Sequence, residues 1–190
     1  MTKRATLCFL SSTLDLCASS PELFIEKSSA MKMYTTYYKS PLGPIKIVGN
    51  QDCIVSLGFV EEERPGDADL PFCLKAGVKQ IDEYFGGNRR KFLLNLDPAG
   101  TKFQRLVWRQ LEKIPFGEVV SYGQIAGAIG NPKACRAVGS ANGKNPISII
   151  IPCHRVIGSD GRLTGYGGGL WRKEWLIKHE RGYQPNDITA

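Results

Sequence analysis

The chain changes its periodicity at Asp97-Pro98-Ala99-Gly100, and this change constrains its fold more than any other feature. Before these four residues, β-branched and aromatic residues form short runs between proline and glycine turns, a pattern typical of antiparallel strands. After them, apolar residues recur at helical spacing, and Thr101 with Gln104 has the spacing of a capping box. A proline and a glycine between two such patterns are typical of a linker. The sequence therefore predicts an α+β protein with domains at 31–97 and 101–183.

The sequence pattern of the first half predicts four strands and one helix. The strands are Thr35–Tyr38, Ile45–Val48, Ile54–Val60 and Phe92–Leu96. The helix is indicated by apolar residues at helical spacing, namely Leu74, Val78, Ile81 and Phe85. The flanking residues 1–30 lack clean periodicity and are predicted to be a disordered extension, and residues 184–190 are predicted to be a tail.

The second half predicts a helix-turn-helix. An apolar stripe at Phe103, Leu106, Val107, Leu111 and Ile114 indicates a first helix, which Pro115 is expected to end. Ser121 with Gln124 forms a second capping box before a short helix over Tyr122–Ile129, closed by Gly130. Asn131 and Pro132 suit the start of the next helix. Two short helices joined by so tight a turn are typical of a helix-turn-helix, although any small helical domain can contain one.

The second helix of this pair is expected to present an almost bare outer face. Ala134, Ala137, Val138 and Ala141 share one face and are predicted to pack inward. The opposite face carries Arg136, Gly139, Ser140 and Gly143. Small residues allow a partner to approach the backbone closely, and one arginine among them could enter a narrow groove or fill a gap in a base stack. A solvated arginine on an exposed helix explains Arg136 as well.

Composition restricts the partners and the compartment. The net charge is +7, and residues 101–190 carry the whole excess, with 13 basic and 6 acidic side chains. This favours a polyanionic partner, although ordinary solubility charge explains it equally well. The six cysteines include no Cys-x-x-Cys pair and there are two histidines, which argues against a zinc site and favours a reducing compartment. No apolar stretch approaches the length of a membrane span, so no membrane association is expected.

The segment 149–156 reads Ile-Ile-Ile-Pro-Cys-His-Arg-Val and places one cysteine at the end of an apolar run. The run predicts a strand that the proline stops, followed at once by Cys153, His154 and Arg155. A nearby positive charge favours the thiolate, which is the nucleophilic form of cysteine. Cys153 is therefore a candidate nucleophile, and the alternative is a buried cysteine beside a strand end.

Taken together, these motifs resemble the O6-alkylguanine-DNA alkyltransferases, also called methylated-DNA–protein-cysteine methyltransferases. The stretches that carry the resemblance agree in order and spacing across Thr101–Glu180. They are Ser121–Ala126, Arg136–Gly139, Asn145-Pro146, Ile151–Val156, Gly165–Leu170, Trp175-Leu176 and His179-Glu180. Residues 33–96 are similar to the N-terminal domain of that family, though less specifically. The resemblance implies an α+β fold with an N-terminal ribonuclease-H-like domain and a helical, winged-helix-like C-terminal domain.

The resemblance implies repair of DNA by irreversible transfer of an alkyl group from O6 of guanine, and more weakly O4 of thymine, to Cys153. His154 would take the thiol proton through a water, and Glu180 would orient His154. Tyr122 would supply a proton to N3 of the leaving guanine. No cofactor and no metal are implied, since the chain lacks the residues of the zinc site that some members carry.

The resemblance also implies residues that hold DNA and the damaged base. Arg136 would occupy the space vacated by a base rotated out of the duplex, with Gly139 and Ser140 in the minor groove. The pocket would be lined by Tyr166, Gly167, Gly168 and Val156. Many members have serine where this chain has Gly167, so only the backbone amide could donate a hydrogen bond there. Asn145 would be a hinge that ties the helix-turn-helix to the active site, and Arg155 would be structural.

The expected partner is double-stranded DNA carrying O6-alkylguanine or O4-alkylthymine, bound by a monomer, with cooperative binding left open. The expected location is the cytoplasm, at the nucleoid in a bacterium or in the nucleus of a eukaryote. Three other functions fit parts of the pattern. A non-catalytic sensor of alkylated bases would lack the nucleophile, whereas a helix-turn-helix transcription factor would need base-reading side chains. A Cys-His hydrolase would need an oxyanion hole.

Overall fold

A three-stranded antiparallel sheet begins the described part of the chain, which is residues 31–182 of a computed structural model. Its strands β1 (Tyr34–Ser40), β2 (Gly43–Gly49) and β3 (Ile54–Phe59) lie in that order. Alternate residues of β2, Ile45 and Ile47, are fully buried, as expected for a sheet with one face on the core. The three predicted strands are confirmed, whereas the predicted extension at 1–30 and tail at 184–190 lie outside the described residues.

The predicted helix of the first half is confirmed as α1 (Phe72–Phe85). Its buried face is formed by Leu74, Gly77, Gln80, Ile81 and Tyr84. The helix ends at Gly86, and Gly87 has a φ of 74°, a conformation that glycine adopts readily. Tyr84 rather than Phe85 is therefore the last aromatic side chain of the buried face.

The prediction of a strand over Phe92–Leu96 is wrong, because side-chain contacts replace most of the pairing there. The amide of Gln80 donates to the carbonyl of Leu93 at 3.0 Å and accepts from its N–H at 2.8 Å. Only Leu96 forms a β-bridge, to Ile54. A buried glutamine can satisfy a backbone segment as a neighbouring strand would, and the sequence pattern does not show this.

The outer edge of β3 also joins the two halves of the chain. Leu57 donates to the carbonyl of Pro146 at 2.8 Å and accepts from the N–H of Ser148 at 2.8 Å. Leu57 and Ile147 thereby form a parallel bridge. The segment that leads to Cys153 is consequently anchored to the sheet of the first half.

Within residues 101–182, the second half contains four α-helices and one short pair of strands. They are α2 (Lys102–Leu111), α3 (Tyr122–Ala128), α4 (Cys135–Gly143), α5 (Leu170–Glu180), and the parallel strands β4 (Val120–Ser121) and β5 (Val156–Ile157). Both predicted capping boxes are present, at Thr101 and at Ser121. A short 3₁₀ turn, Pro132–Ala134, connects α3 to α4 and completes the predicted helix-turn-helix. None of the helices within residues 31–182 has the length and apolar character needed to cross a membrane.

Two details of the predicted apolar faces are wrong. In α2, Leu106 is 40% exposed, whereas Trp108 is buried and its indole N–H donates to the carbonyl of Ala141 at 2.8 Å. The helix also ends at Leu111, before Pro115. In α4, Ala137 is exposed and Asn142 is buried instead. Residues at the margin of a helical stripe face the core or solvent depending on neighbouring elements, which periodicity alone does not determine.

The predicted strand over Ile149–Ile151 is also wrong, because these residues form a buried turn. Ile149 has a φ of 70°, in the left-handed region that β-branched residues rarely adopt. Within the turn, Ile151 donates to the carbonyl of Ile147 at 3.0 Å. An apolar run of this length is ambiguous in sequence, and here burial of a turn explains its composition.

Candidate active site

Cys153 begins a 3₁₀ turn, Cys153–Arg155, immediately after the buried turn. Its side chain is 4% exposed. The backbone N–H of Cys153 donates to Ile151 at 2.8 Å, and the side chain of Asn142 on α4 donates to the carbonyl of Cys153 at 3.2 Å. The candidate nucleophile is thus fixed both by its own turn and by the second helix of the helix-turn-helix. The sequence did not single out Asn142.

The surroundings of Cys153 do not favour the thiolate in the resting protein. Burial raises the pKa of the thiol, and hydrogen bonding from Asn145 and the positive charge of Lys173 offset only part of this effect. The prediction of a basic environment that favours the thiolate is therefore wrong in its balance. The cysteine is a thiol at neutral pH and needs a base to activate it.

His154 is the candidate for that base. It is fully buried, and its Nε2 lies 2.8 Å from Oε1 of Glu180. An ionised carboxylate only accepts hydrogen bonds, so Nε2 carries the proton and Nδ1 carries the lone pair. Burial lowers the pKa of His154, and the contact with Glu180 opposes this only in part. Within residues 31–182, no group forms a hydrogen bond with Nδ1.

Glu180, at the end of α5, is the centre of a buried hydrogen-bond network. Besides His154, its carboxylate accepts from Arg155 Nε at 2.8 Å and Nη2 at 3.0 Å. It also accepts from the N–H of Gly117 at 3.1 Å and from the hydroxyl of Tyr84 at 2.9 Å. Burial alone would raise the pKa of Glu180, but the contacts with His154 and Arg155 hold it well below its usual range. Glu180 is therefore ionised in the folded protein at neutral pH.

Arg155 closes this network from the other side. Its Nη1 donates to the carbonyl of Ile114 at 2.6 Å, and the residue is 6% exposed. A bidentate arginine–carboxylate pair fixes geometry more strongly than a single contact does. These contacts agree with the structural role expected of Arg155.

Lys173 on α5 is a second buried cation that the sequence reasoning missed. Its Nζ donates to the carbonyls of Val156 at 2.6 Å and Thr164 at 2.7 Å. Burial lowers its pKa to about 8, although the nearby Cys153 opposes the shift. One signal in the sequence could have identified Lys173. It has helical spacing with Leu176, Ile177 and Glu180, and these four residues form the buried face of α5.

A separate cleft of about 470 Å³ lies on the helix-turn-helix side. Its lining is formed by Tyr122, Cys135, Arg136, Gly139, Gly143, Thr164, Gly165 and Tyr166. The structure thus brings together three predicted site residues, Tyr122, Arg136 and Tyr166. Gly139 also lines the cleft and is half-buried beside the ring of Tyr122. A Cβ at this position would lie 3.7 Å from that ring, which is an ordinary van der Waals contact. Four other predicted residues are not part of this lining: Ser140 is exposed, Val156 is fully buried, and Gly167 and Gly168 lie in the loop just beyond Tyr166.

The loop at Tyr166–Gly169 differs between its two central glycines. A Cβ at Gly168 would lie 2.9 Å from the ring of Tyr166 and 3.0 Å from that of Phe59, so a larger residue there would force these rings to move. A side chain at Gly167 would approach only the carbonyl of Gly143, at 3.9 Å. The loop is held by Arg172, which donates to the carbonyl of Gly168 at 2.7 Å.

Asn145 has the contacts expected of a hinge. Its side chain accepts from the N–H of Ile147 at 3.0 Å and donates to the carbonyl of Ile151 at 2.8 Å. It therefore ties the end of the helix-turn-helix to both ends of the buried turn before Cys153. Among the described residues, no group of three or more His, Cys, Asp or Glu side chains is arranged to hold a metal ion.

Comparison with known proteins places this arrangement in a family. Residues 33–98 match the ribonuclease-like domain of 6-O-methylguanine DNA methyltransferase, and residues 102–182 match the DNA binding domain of the same family. The chain is 47% identical over 154 residues to a methylated-DNA–protein-cysteine methyltransferase of Mycolicibacterium paratuberculosis, covering 79% of this chain and 93% of that protein. It is 44% identical to a protein of the same name from Methanosarcina acetivorans, covering 78% of this chain and 98% of that protein.

Two solved structures are similar over most of the chain. The O6-methylguanine methyltransferase of Mycobacterium tuberculosis superposes with a TM-score of 0.73 and 44% identity, covering 83% of this chain and 98% of that one. A structure of the M. tuberculosis protein in complex with DNA superposes with a TM-score of 0.72 and 46% identity, covering 80% and 96%. The α+β fold with a ribonuclease-like and a DNA-binding domain is confirmed, and the chain belongs to the 6-O-methylguanine DNA methyltransferase family.

Proposed function

We propose that this methyltransferase repairs duplex DNA by moving the alkyl group of an O6-alkylguanine directly onto the sulfur of Cys153. One observation carries the proposal: a buried thiol is followed in the chain by a buried neutral histidine that Glu180 orients at 2.8 Å. Displacement at an alkyl carbon needs a soft nucleophile and a base to generate it, and these residues supply both.

In the reaction, His154 accepts the thiol proton at Nδ1 through a water. The sulfur of Cys153 then attacks the alkyl carbon, a C–S bond forms, and the C–O6 bond breaks with its electron pair moving into the guanine. A proton from Tyr122 reaches N3 of the guanine as negative charge develops there. The lowered pKa of His154 keeps the imidazole free to accept the proton at neutral pH. The carboxylate of Glu180 stabilises the imidazolium that results.

The product is a thioether, which these residues have no means to reverse. Each molecule is therefore used once, and the reaction is stoichiometric in protein. Because each molecule reacts only once, a buried thiol with a raised pKa is acceptable at this site.

The damaged base reaches Cys153 after rotating out of the duplex, as a stacked base is inaccessible. Support comes from the cleft, where Arg136 stands on a helix face that otherwise carries Gly139, Ser140 and Gly143. Arg136 fills the space that the base leaves, and the small residues allow α4 to approach the minor groove. The minor groove carries little sequence information, which suits a protein that must act at any sequence.

We further propose, from the family resemblance, that O4-alkylthymine is a second and weaker substrate and that a monomer binds the double-stranded DNA. Affinity for DNA is expected to depend strongly on salt and weakly on sequence. The cytoplasmic or nuclear location stays a prediction.

The decisive experiment is the intact mass of the protein after incubation with duplex DNA that contains one O6-methylguanine, followed by peptide mapping. The expected result is a gain of one methyl group on Cys153 that saturates at one per protein, with Cys53, Cys73 and Cys135 unmodified. A protein that binds the DNA without any mass gain would instead be a sensor of alkylated bases.

A further inference from the structure

Tyr84 is a buried residue of the ribonuclease-like half that reaches the catalytic carboxylate of the other half. It lies on α1, 96 residues before Glu180, and its hydroxyl donates to Glu180 Oε1 at 2.9 Å. The residue is 0% exposed. Neither the capping boxes nor the cysteine motif points to it, because the contact is made only in the folded chain.

The ring and backbone of Tyr84 are held from several directions. Its carbonyl accepts from His179 Nε2 at 2.8 Å, so α5 is bound to Tyr84 through both His179 and Glu180. Its ring packs edge-on or tilted against Phe92 at 5.6 Å and Phe116 at 6.2 Å between ring centroids. A hydroxyl carried on so fixed a ring has little freedom to point elsewhere.

We propose that Tyr84 is a positioning residue for alkyl transfer, which fixes the carboxylate of Glu180 and so sets the basicity of His154. The inference rests on the function proposed above, and it assigns the ribonuclease-like half a direct part in the chemistry. Tyr84 touches neither the substrate nor the sulfur and acts through Glu180.

The physical argument concerns how Glu180 Oε1 shares its charge. This oxygen accepts from three donors, His154 Nε2, Arg155 Nη2 and the hydroxyl of Tyr84. Burial raises the pKa of Tyr84 well above 10, so its hydroxyl remains a donor throughout the range in which the protein is folded. Without that donor, more of the carboxylate charge acts on His154, and the pKa of His154 rises.

Other charged groups around His154 stay in place when Tyr84 changes. The pKa of His154 is lowered first by burial, and the positive charges of Arg155 beside it and Lys173 on α5 lower it further. Only Glu180 raises it. The hydroxyl of Tyr84 therefore acts on Glu180, the group that raises the pKa of His154 against burial, Arg155 and Lys173.

The test compares Tyr84→Phe with the wild-type protein in single-turnover methyl transfer from O6-methylguanine duplex DNA, measured from pH 5.5 to 8.5. At pH 7 the rate constant is expected to fall about 10-fold, the lower end of the range for loss of one hydrogen bond to a charged group. The acidic limb of the pH–rate profile should move to higher pH, and DNA affinity should not change. Tyr38→Phe is the matched control, because Tyr38 packs on the same aromatic cluster but its hydroxyl donates to Asp82.

A double-mutant cycle with Glu180→Gln separates positioning from general loss of stability. If Tyr84 acts through Glu180, adding Tyr84→Phe to Glu180→Gln produces no further loss of rate. An equal loss in both backgrounds, or an unshifted pH profile, would overturn the inference and make Tyr84 a packing residue. Absence of methyl transfer in the wild-type protein would instead overturn the proposed function itself.

Discussion

The two parts of the site are built in opposite ways. The buried network, defined as Cys153, His154, Arg155, Lys173 and Glu180, lies almost entirely out of solvent, and its charged groups are paired or hydrogen-bonded. The cleft, defined by its lining residues Tyr122, Arg136, Gly139 and Tyr166, is open. The side-chain hydrogen bonds of Tyr122 there are long: its hydroxyl donates to the carbonyl of Thr164 at 3.3 Å and accepts from the hydroxyl of Thr164 at 3.4 Å.

The difference follows from what each part must do. The proposed proton transfer to His154 requires fixed distances and a low dielectric, in which each electrostatic contact is stronger than in water. A surface that meets DNA must stay accessible and cannot satisfy its own polar groups in advance. Substitutions in the network should therefore change the transfer rate and the stability of the protein. Substitutions in the cleft should change the rate at which duplex DNA is repaired.

The largest expected effect is that of Cys153→Ala, which should abolish methyl transfer while leaving DNA affinity within about twofold. In the proposed reaction its sulfur is the acceptor, and no other cysteine within residues 31–182 belongs to the buried network. Methyl transfer would be followed by intact mass and DNA affinity by fluorescence anisotropy at a fixed salt concentration. Residual methylation of the variant protein would show that another residue accepts the group.

Glu180→Gln should lower the transfer rate about 100-fold, as for loss of an oriented general base. It should also reduce the free energy of unfolding by about 3 kcal/mol, because the charge of buried Arg155 loses its partner. Urea denaturation and single-turnover kinetics measure the two effects.

The matched control for this variant is Glu174→Gln. Glu174 lies on the same helix but forms an exposed pair with Lys178 at 3.0 Å. Such surface pairs contribute at most about 1 kcal/mol, so neither stability nor rate should change appreciably. Equal effects of the two variants would remove Glu180 from the mechanism.

In the cleft, Arg136→Ala should slow repair of duplex DNA about 10- to 100-fold, since base extrusion is impaired. Reaction with free O6-benzylguanine, which needs no extrusion, should remain close to the wild-type rate. Lys133→Ala is the control, as it removes an exposed cation from the neighbouring turn and should only weaken binding in a salt-dependent way. Equal losses on duplex and free base would contradict the role of Arg136.

Sequence reasoning succeeded where structure is set by neighbours in the chain. The capping boxes at Thr101 and Ser121 and the helix-turn-helix depend on contacts within a few residues, and each is present. The family resemblance, carried by the separate stretches Ile151–Val156 and His179-Glu180, also identified His154 and Glu180, which lie within hydrogen-bond distance of each other. The match to a family supplied this pairing, since the two residues are 26 positions apart in the chain.

It failed where distant segments decide the outcome. Ile149–Ile151 has the composition of a strand, but Leu57 pairs with the residues just before it and Asn145 bonds the turn, so the chain bends. Tyr84 and Lys173 were missed for the same reason, because each acts on a group far away in sequence. The balance of the Cys153 pKa likewise depends on burial, which a run of apolar residues indicates only qualitatively.

The smallest effect, and the finest distinction between the two parts, is the response to pH. His154 must be neutral to accept a proton, and its pKa is lowered from 6.5, so the transfer rate should be flat above pH 7 and fall only below pH 6.5. The raised pKa of Cys153 means that little thiolate is present in this range, so its titration should not govern the rate. DNA affinity, which is expected to depend on exposed cations such as Arg136 and Lys133, should stay constant over the same interval at fixed salt. A rate that instead rises tenfold per pH unit through pH 8 would show that preformed thiolate is the reacting species and that His154 is not the base.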